Sequence, residues 1–312
     1  MKTDPVEPKD LAASVIAVPP LARTPAGRLD SQANGKLLAH LRAGGVRTFM
    51  YGGNANLYHI APSEYPAFLA MLVDLAQPGD WMVPSIGSDY GKALDQVSML
   101  RDMPFPTAMV LPQRFPVAPE GVATGLRKLA EAYGKPLIAY VKDDGYLDAG
   151  DMGRLRADGA ICAVKYAVVR EHPEVDPYLE AVLDGVDRSL VVSGIGERPA
   201  VAHLTRFDLA AFTSGSVCIA PGLSTAILKA LKRADRAEAE RLRALFLPLE
   251  DLRDRYSPLR VLHEAVRLAG IAETGPLQPF LANLSDAATI AAVGREARCL
   301  LEADQAAMAA TA

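Results

Sequence analysis

Eight short apolar runs, each followed by a longer stretch with helical spacing, constrain the fold of this 312-residue chain more than any other feature. The runs are residues 15–19, 46–52, 81–86, 107–111, 137–141, 161–164, 190–193 and 211–213. They are continuously apolar rather than alternating, so each reads as a strand covered on both faces. Between them, Leu37, Leu38 and Leu41 share one helix face, and so do Phe68, Met71, Leu72 and Leu75. Leu126, Leu129 and Ala130 repeat the pattern, with Gly134 as a stop signal. Strand–helix units in series fit a doubly wound sheet or a closed (β/α)8 barrel, and their short, even spacing favours the barrel. The strand signal ends near Arg233. Residues 236–255, 258–269 and 285–307, rich in Ala, Leu, Arg and Glu, read as helices. The expected organisation is an α/β protein with a (β/α)8 TIM barrel over 11–233 and a C-terminal helical extension over 234–312.

Composition narrows the function. Lys and Arg total 33 against 37 Asp and Glu, a net charge of −4, which argues against a nucleic-acid binder. Cys162, Cys218 and Cys299 are far apart and form no CxxC motif, so a reducing compartment is expected. No apolar run reaches the ~18 residues of a spanning helix. The stretch 11–22 is broken by Pro19 and Pro20 and preceded by Asp4, Glu7 and Asp10, unlike a secretory signal. It reads as a buried strand, and the expected location is cytoplasmic. The five histidines show no HxH or HExxH spacing, so no metal is expected. Gly194-Ile195-Gly196 lacks the third glycine of a dinucleotide loop, so no nicotinamide site is expected.

In a barrel of this type, chemistry sits at the C-terminal ends of the strands. Lys165 closes the apolar run 161–164 and is followed by Tyr166, Ala167, Val168 and Val169. Loss of hydration there favours the neutral, nucleophilic amine, which attacks a ketone to form a Schiff base. The competing reading is a lysine that ends a strand and snorkels to water. Tyr140 ends the preceding strand, so it should neighbour Lys165 and carry protons for it. Alone, it would read as a core tyrosine. Cys162 reads as core rather than nucleophile.

With these residues the sequence resembles the dihydrodipicolinate synthase / N-acetylneuraminate lyase family of class I, pyruvate-dependent aldolases, over about residues 11–282. Gly52-Gly53-Asn54-Ala55-Asn56 stands where that family has its carboxylate-binding loop. Tyr140 matches the catalytic tyrosine, and Lys165 the Schiff-base lysine within Ile161-Cys162-Ala163-Val164-Lys165. Ser193-Gly194 and Gly215-Ser216-Val217 resemble two later glycine motifs around the pyruvate pocket. Pro112 with Glu120-Gly121 matches the segment after the fourth strand, and Pro276-Leu277 the closing motif.

The departures point to a divergent member. Gly53 and Asn54 replace the loop hydroxyls, Arg114 replaces a relay tyrosine, and Gly145 stands where true synthases carry an arginine. The resemblance implies a lyase acting on pyruvate or a related 2-oxo acid, with a different second substrate. Lys165 and Tyr140 would be catalytic; Gly52, Gly53, Asn54, Gly194, Val217 and Arg114 would bind substrate. The imine on Lys165 would replace any cofactor. A homo-oligomer, dimer or tetramer, is expected, with no nucleic-acid or membrane partner. The alternatives are a sugar-acid dehydratase of the same family and a catalytically degenerate barrel that binds 2-oxo acids.

Overall fold

A computed structural model of the chain describes residues 1–310. Its strands are β1 (Ile16–Ala17), β2 (Thr48–Met50), β3 (Trp81–Val83), β4 (Ser85–Gly87), β5 (Met109–Leu111), β6 (Leu137–Val141), β7 (Ile161–Tyr166), β8 (Val191–Ser193) and β9 (Ala211–Ser214). Helices alternate with them, and helices alone follow β9, from Pro221–Lys232 to Ala287–Ala309. This is the order of a (β/α)8 barrel with a C-terminal helical extension. Among the described residues, no helix is long and apolar enough to cross a membrane.

The chain divides into two compact units. The first holds Met1–Ala13, Ala61–Ile195 and Ala202–Thr213. Within it, β4 through β9 pair in parallel in sequence order. Every residue of these six strands except Tyr140 is buried, as continuous apolar runs require. The intervening helices start where carboxylates satisfy their first amides. Asp89 accepts from Lys92 N, Asp148 from Asp151 N and Asp176 from Leu179 N. Gly134, at φ 73°, ends the helix Pro119–Tyr133 as the sequence predicts.

One irregularity in this unit positions the chemistry. Leu137 lies opposite Ile161, but Ile138 lies opposite Ala163, so Cys162 is an extra residue in β7. With an unbroken register Tyr140 would face Val164. The extra residue brings Lys165 opposite Tyr140 instead. Adjacent residues of a strand point to opposite faces, so this one-residue step decides whether the two side chains share a face.

The second unit holds Ser14–Ile60, Gly196–Val201 and Ser214–Ala312. In it β1 pairs with β2, Ile16 opposite Thr48 and Ala17 opposite Phe49. The fully buried Asn34 is satisfied by Ala22, accepting from its N–H at 3.1 Å and donating to its carbonyl at 2.9 Å.

Three expectations are refined. The run 81–86 forms two strands, β3 and β4, because Pro84 has no N–H for a ladder. The expected helix 236–255 is two, Arg236–Ala244 and Leu247–Tyr256, the second carrying Pro248 in its first turn, where a missing N–H is harmless. The stretch 11–22 begins inside a short helix, Pro8–Ala12, before β1.

Candidate active site

In the first unit, Lys165 and Tyr140 are brought together. Lys165 is 3% exposed, and its Nζ sits 4.3 Å from the centroid of the Tyr140 ring. An ammonium or an amine hydrogen over a ring face is held by the ring's negative quadrupole. The neighbouring Tyr166 is anchored separately: its hydroxyl donates to Asp176 at 2.8 Å. Asp176 also accepts from Arg170 at 2.8 Å, and Arg170 reaches Asp144 with its other terminal nitrogen. This chain ties the loop after β6 to the loop after β7. Burial by itself would raise the Asp176 carboxyl. Donors from Arg170, Leu179 N and Tyr166 outweigh it and hold the group below the usual carboxylate range.

Cys162 is buried and its thiol is pushed up to about 11 by that burial, which fits core rather than nucleophile. Gly194 follows β8, and its N–H donates to Tyr166 O at 2.6 Å. A Cβ there would lie 2.6 Å from Ala167 Cβ and 2.7 Å from Tyr166 O. The glycine thus permits close approach of the two backbones just beyond Lys165. Gly194→Ala is expected to destabilise the protein by about 1–3 kcal/mol, the scale of overpacking, in denaturant titrations. An unchanged midpoint would mean that this contact is slack.

Arg114 is exposed on the loop after β5 and makes no ion pair or side-chain hydrogen bond among the described residues. Its charge is felt by Lys142, whose pKa is lowered, first by desolvation and next by Arg114. Two cations therefore lie near each other on the loops after β5 and β6.

The second unit places Gly52, Gly53, Asn54 and Val217. Asn54 is half-buried and donates to Val18 O at 2.9 Å. At Gly53 a Cβ would meet only the Tyr58 ring at 3.7 Å, so the missing loop side chain is not excluded by crowding. Val217 is fully buried, and its N–H donates to Ser214 Oγ at 2.9 Å. Ser214 in turn donates to Glu197 at 2.7 Å, and Ser224 donates to the other oxygen of the same carboxyl.

Sequence reasoning missed this buried cluster. Glu197 N donates to Glu250 Oε1 at 3.2 Å, and Arg253 Nη1 lies 3.9 Å from that same oxygen. Arg253 Nη1 also donates to Ser216 Oγ at 3.1 Å. Only Glu197, directly after the Gly194-Ile195-Gly196 segment, had a positional signal. Glu250 and Arg253 sit on a later helix with no motif.

Two buried carboxyls share one guanidinium. Glu250 is pushed up to about 8, first by burial and then by the charge of Glu197. A carboxyl whose pKa is raised by folding stabilises the native state while protonated. That contribution is complete below the unfolded value near 4.5 and is lost as pH rises through about 8. The melting temperature is therefore expected to fall as pH rises from about 5 to about 8, and Glu250→Gln to flatten that slope. Equal slopes in the two proteins would remove Glu250 as the cause.

Among the described residues, no group of three or more His, Cys, Asp or Glu side chains is placed to hold a metal ion. No protein-family model matches the chain. A relative named probable 5-dehydro-4-deoxyglucarate dehydratase, from Xanthobacter autotrophicus, is 26% identical over 251 residues, covering 76% of this chain and 79% of the relative. The crystal structure of dihydrodipicolinate synthase from Bacillus clausii superposes with a TM-score of 0.80 at 21% identity, covering 94% of this chain and 98% of that one. The structure of PhdJ bound to a substrate intermediate superposes with a TM-score of 0.82 at 17% identity, covering 97% and 99%. Strand order agrees with these matches: the chain is similar in sequence to the dehydratase and shares the (β/α)8 fold of the two solved structures.

Proposed function

We propose that this chain is a class I aldolase-type lyase that forms a Schiff base with pyruvate or a related 2-oxo acid. The observation that carries the reading is the Lys165 amine buried over the Tyr140 ring, 4.3 Å from its centroid. Lys165 attacks the keto carbon, and the carbinolamine loses water to give a protonated imine. The imine draws electrons from the adjacent carbon, so a C–C bond there forms or breaks, or a β-hydroxyl leaves. Tyr140 passes protons to and from these oxygens. Backbone N–H groups at Gly52 and Gly53 and the Asn54 amide take the carboxylate beside the ketone. The lysine itself supplies the covalent chemistry, so no separate cofactor is invoked.

Dehydration is the second reading, favoured by the name of the Xanthobacter relative. The acid in that name is a diacid, and Arg114 with Lys142 offers charge for a second anionic group. The exposed Phe115 and Val117 beside Arg114 support a homo-oligomer, and the dispersed free cysteines support a cytoplasmic location.

Borohydride trapping with a panel of 2-oxo acids, read by intact mass and peptide mapping, tests the reading. The expected adduct lies on the peptide containing Lys165. An adduct on Lys142, or none with any acid, overturns it. An adduct without turnover on any substrate would identify a degenerate, binding barrel.

A further inference from the structure

Lys165 and Tyr166 leave β7 on opposite sides, because adjacent residues of a strand point to opposite faces. Tyr166 faces the helices of the first unit. Its ring centroid lies 5.9 Å from that of Tyr178, on the helix Pro177–Gly185, and 6.3 Å from that of His203. Its hydroxyl donates to Asp176 Oδ2 at 2.8 Å. Lys165 faces the other way, with its amine over the Tyr140 ring.

Asp176 is a firm anchor for that hydroxyl. Its side chain is wholly buried and both oxygens are in use. Oδ2 accepts from Tyr166, and Oδ1 from Arg170 Nη2 at 2.8 Å and Leu179 N at 3.1 Å. An ionised carboxylate only accepts, so it takes three donors without conflict, and its bond to the hydroxyl is charge-assisted. The anchor matters because β7 is irregular. The extra residue at Cys162 makes a bulge, and a one-residue slip beyond it would turn Lys165 toward the helices and Tyr166 toward Tyr140. In that slipped register the Tyr166 hydroxyl would point away from Asp176. The bond therefore selects the register that puts Lys165 on the Tyr140 side.

We propose that Asp176 is a positioning residue for Lys165: by anchoring Tyr166 on the helix side of β7, it holds the amine on the opposite side, over the Tyr140 ring. The proposal rests on the reading that Lys165 forms the Schiff base. Asp176 acts through Tyr166 and takes no part in making or breaking bonds. A change on the helix side of β7 then alters chemistry on the other side, because a misplacement of about 1 Å at a reacting atom costs on the order of a hundredfold in rate.

Two readouts test it. One is the rate of borohydride trapping at saturating pyruvate. The other is the NMR signal of the Lys165 side chain in ¹³C-lysine-labelled protein, assigned by its absence from Lys165→Arg. The ring current of Tyr140 should set that signal apart from those of exposed lysines. Tyr166→Phe removes only the hydroxyl. Asp176→Asn keeps an oxygen for Leu179 N and Arg170 and turns an amide nitrogen toward Tyr166, so the test survives if one variant does not fold. Both should slow trapping about ten- to a hundredfold. Both should leave the half-saturating pyruvate concentration unchanged and move the Lys165 signal toward those of exposed lysines. Tyr178→Phe is the control. It removes a hydroxyl that donates to Leu147 O, and it should lower stability without moving either readout. Unchanged trapping with an unmoved signal in Tyr166→Phe overturns the proposal and leaves the Schiff base intact. So does slower trapping with an unmoved signal, or an equal effect of Tyr178→Phe, which would mark a general loosening. If the wild type forms no adduct but the signal still moves in Tyr166→Phe, the Schiff-base reading fails and the positioning role stands.

Discussion

Lys165→Ala is expected to abolish the borohydride-trapped adduct and to lower turnover by about 10⁴-fold or more, as removal of a covalent nucleophile does. The side chain is 3% exposed, so its loss also leaves a small void. Lys165→Arg separates the two effects. It keeps a cation for the Tyr140 ring, but a guanidinium is not deprotonated in proteins and offers no nucleophilic amine. The arginine variant should therefore match the alanine variant in adduct formation. Trapping that persists in both would show that another lysine does the chemistry.

Tyr140→Phe is expected to lower turnover by about 10²–10⁴-fold, the usual range for a group that moves protons. The ring that lies 4.3 Å from Lys165 Nζ remains, so the amine keeps its platform. Trapping at equilibrium with pyruvate should then survive in Tyr140→Phe and weaken in Tyr140→Leu, which removes the ring as well. This split distinguishes the hydroxyl's proton transfer from the ring's positioning of the amine. Full turnover in Tyr140→Phe would exclude the hydroxyl from the mechanism.

Much of the fold was legible because it depends on local chemistry. Continuous apolar runs of strand length need cover on both faces, and six of the strands, β4 through β9, are buried accordingly at every position but Tyr140. Gly134 ends its helix in the left-handed conformation that a glycine adopts without strain. Lys165 stands out because it closes an apolar run, and Tyr140 because it lies near the end of the preceding one. Pro84 and Pro248 divide the stretches 81–86 and 236–255, each of which the residue pattern alone reads as one element.

What the sequence determined by itself was the order of elements, the residue types at the strand ends and the likeness to a lyase family. Whether those residues meet was decided elsewhere. The extra residue at Cys162 shifts β7 by one position against β6 and puts Lys165, rather than Val164, opposite Tyr140. Register is set by the fit of two strands against each other and leaves no mark in either strand alone. The Glu197–Glu250–Arg253 cluster and the approach of Arg253 to Gly215 likewise join segments far apart in the chain. A charged residue on a polar helix reads as solvated until the fold buries it, and its partners in the low-dielectric interior then define both its ionisation and its use.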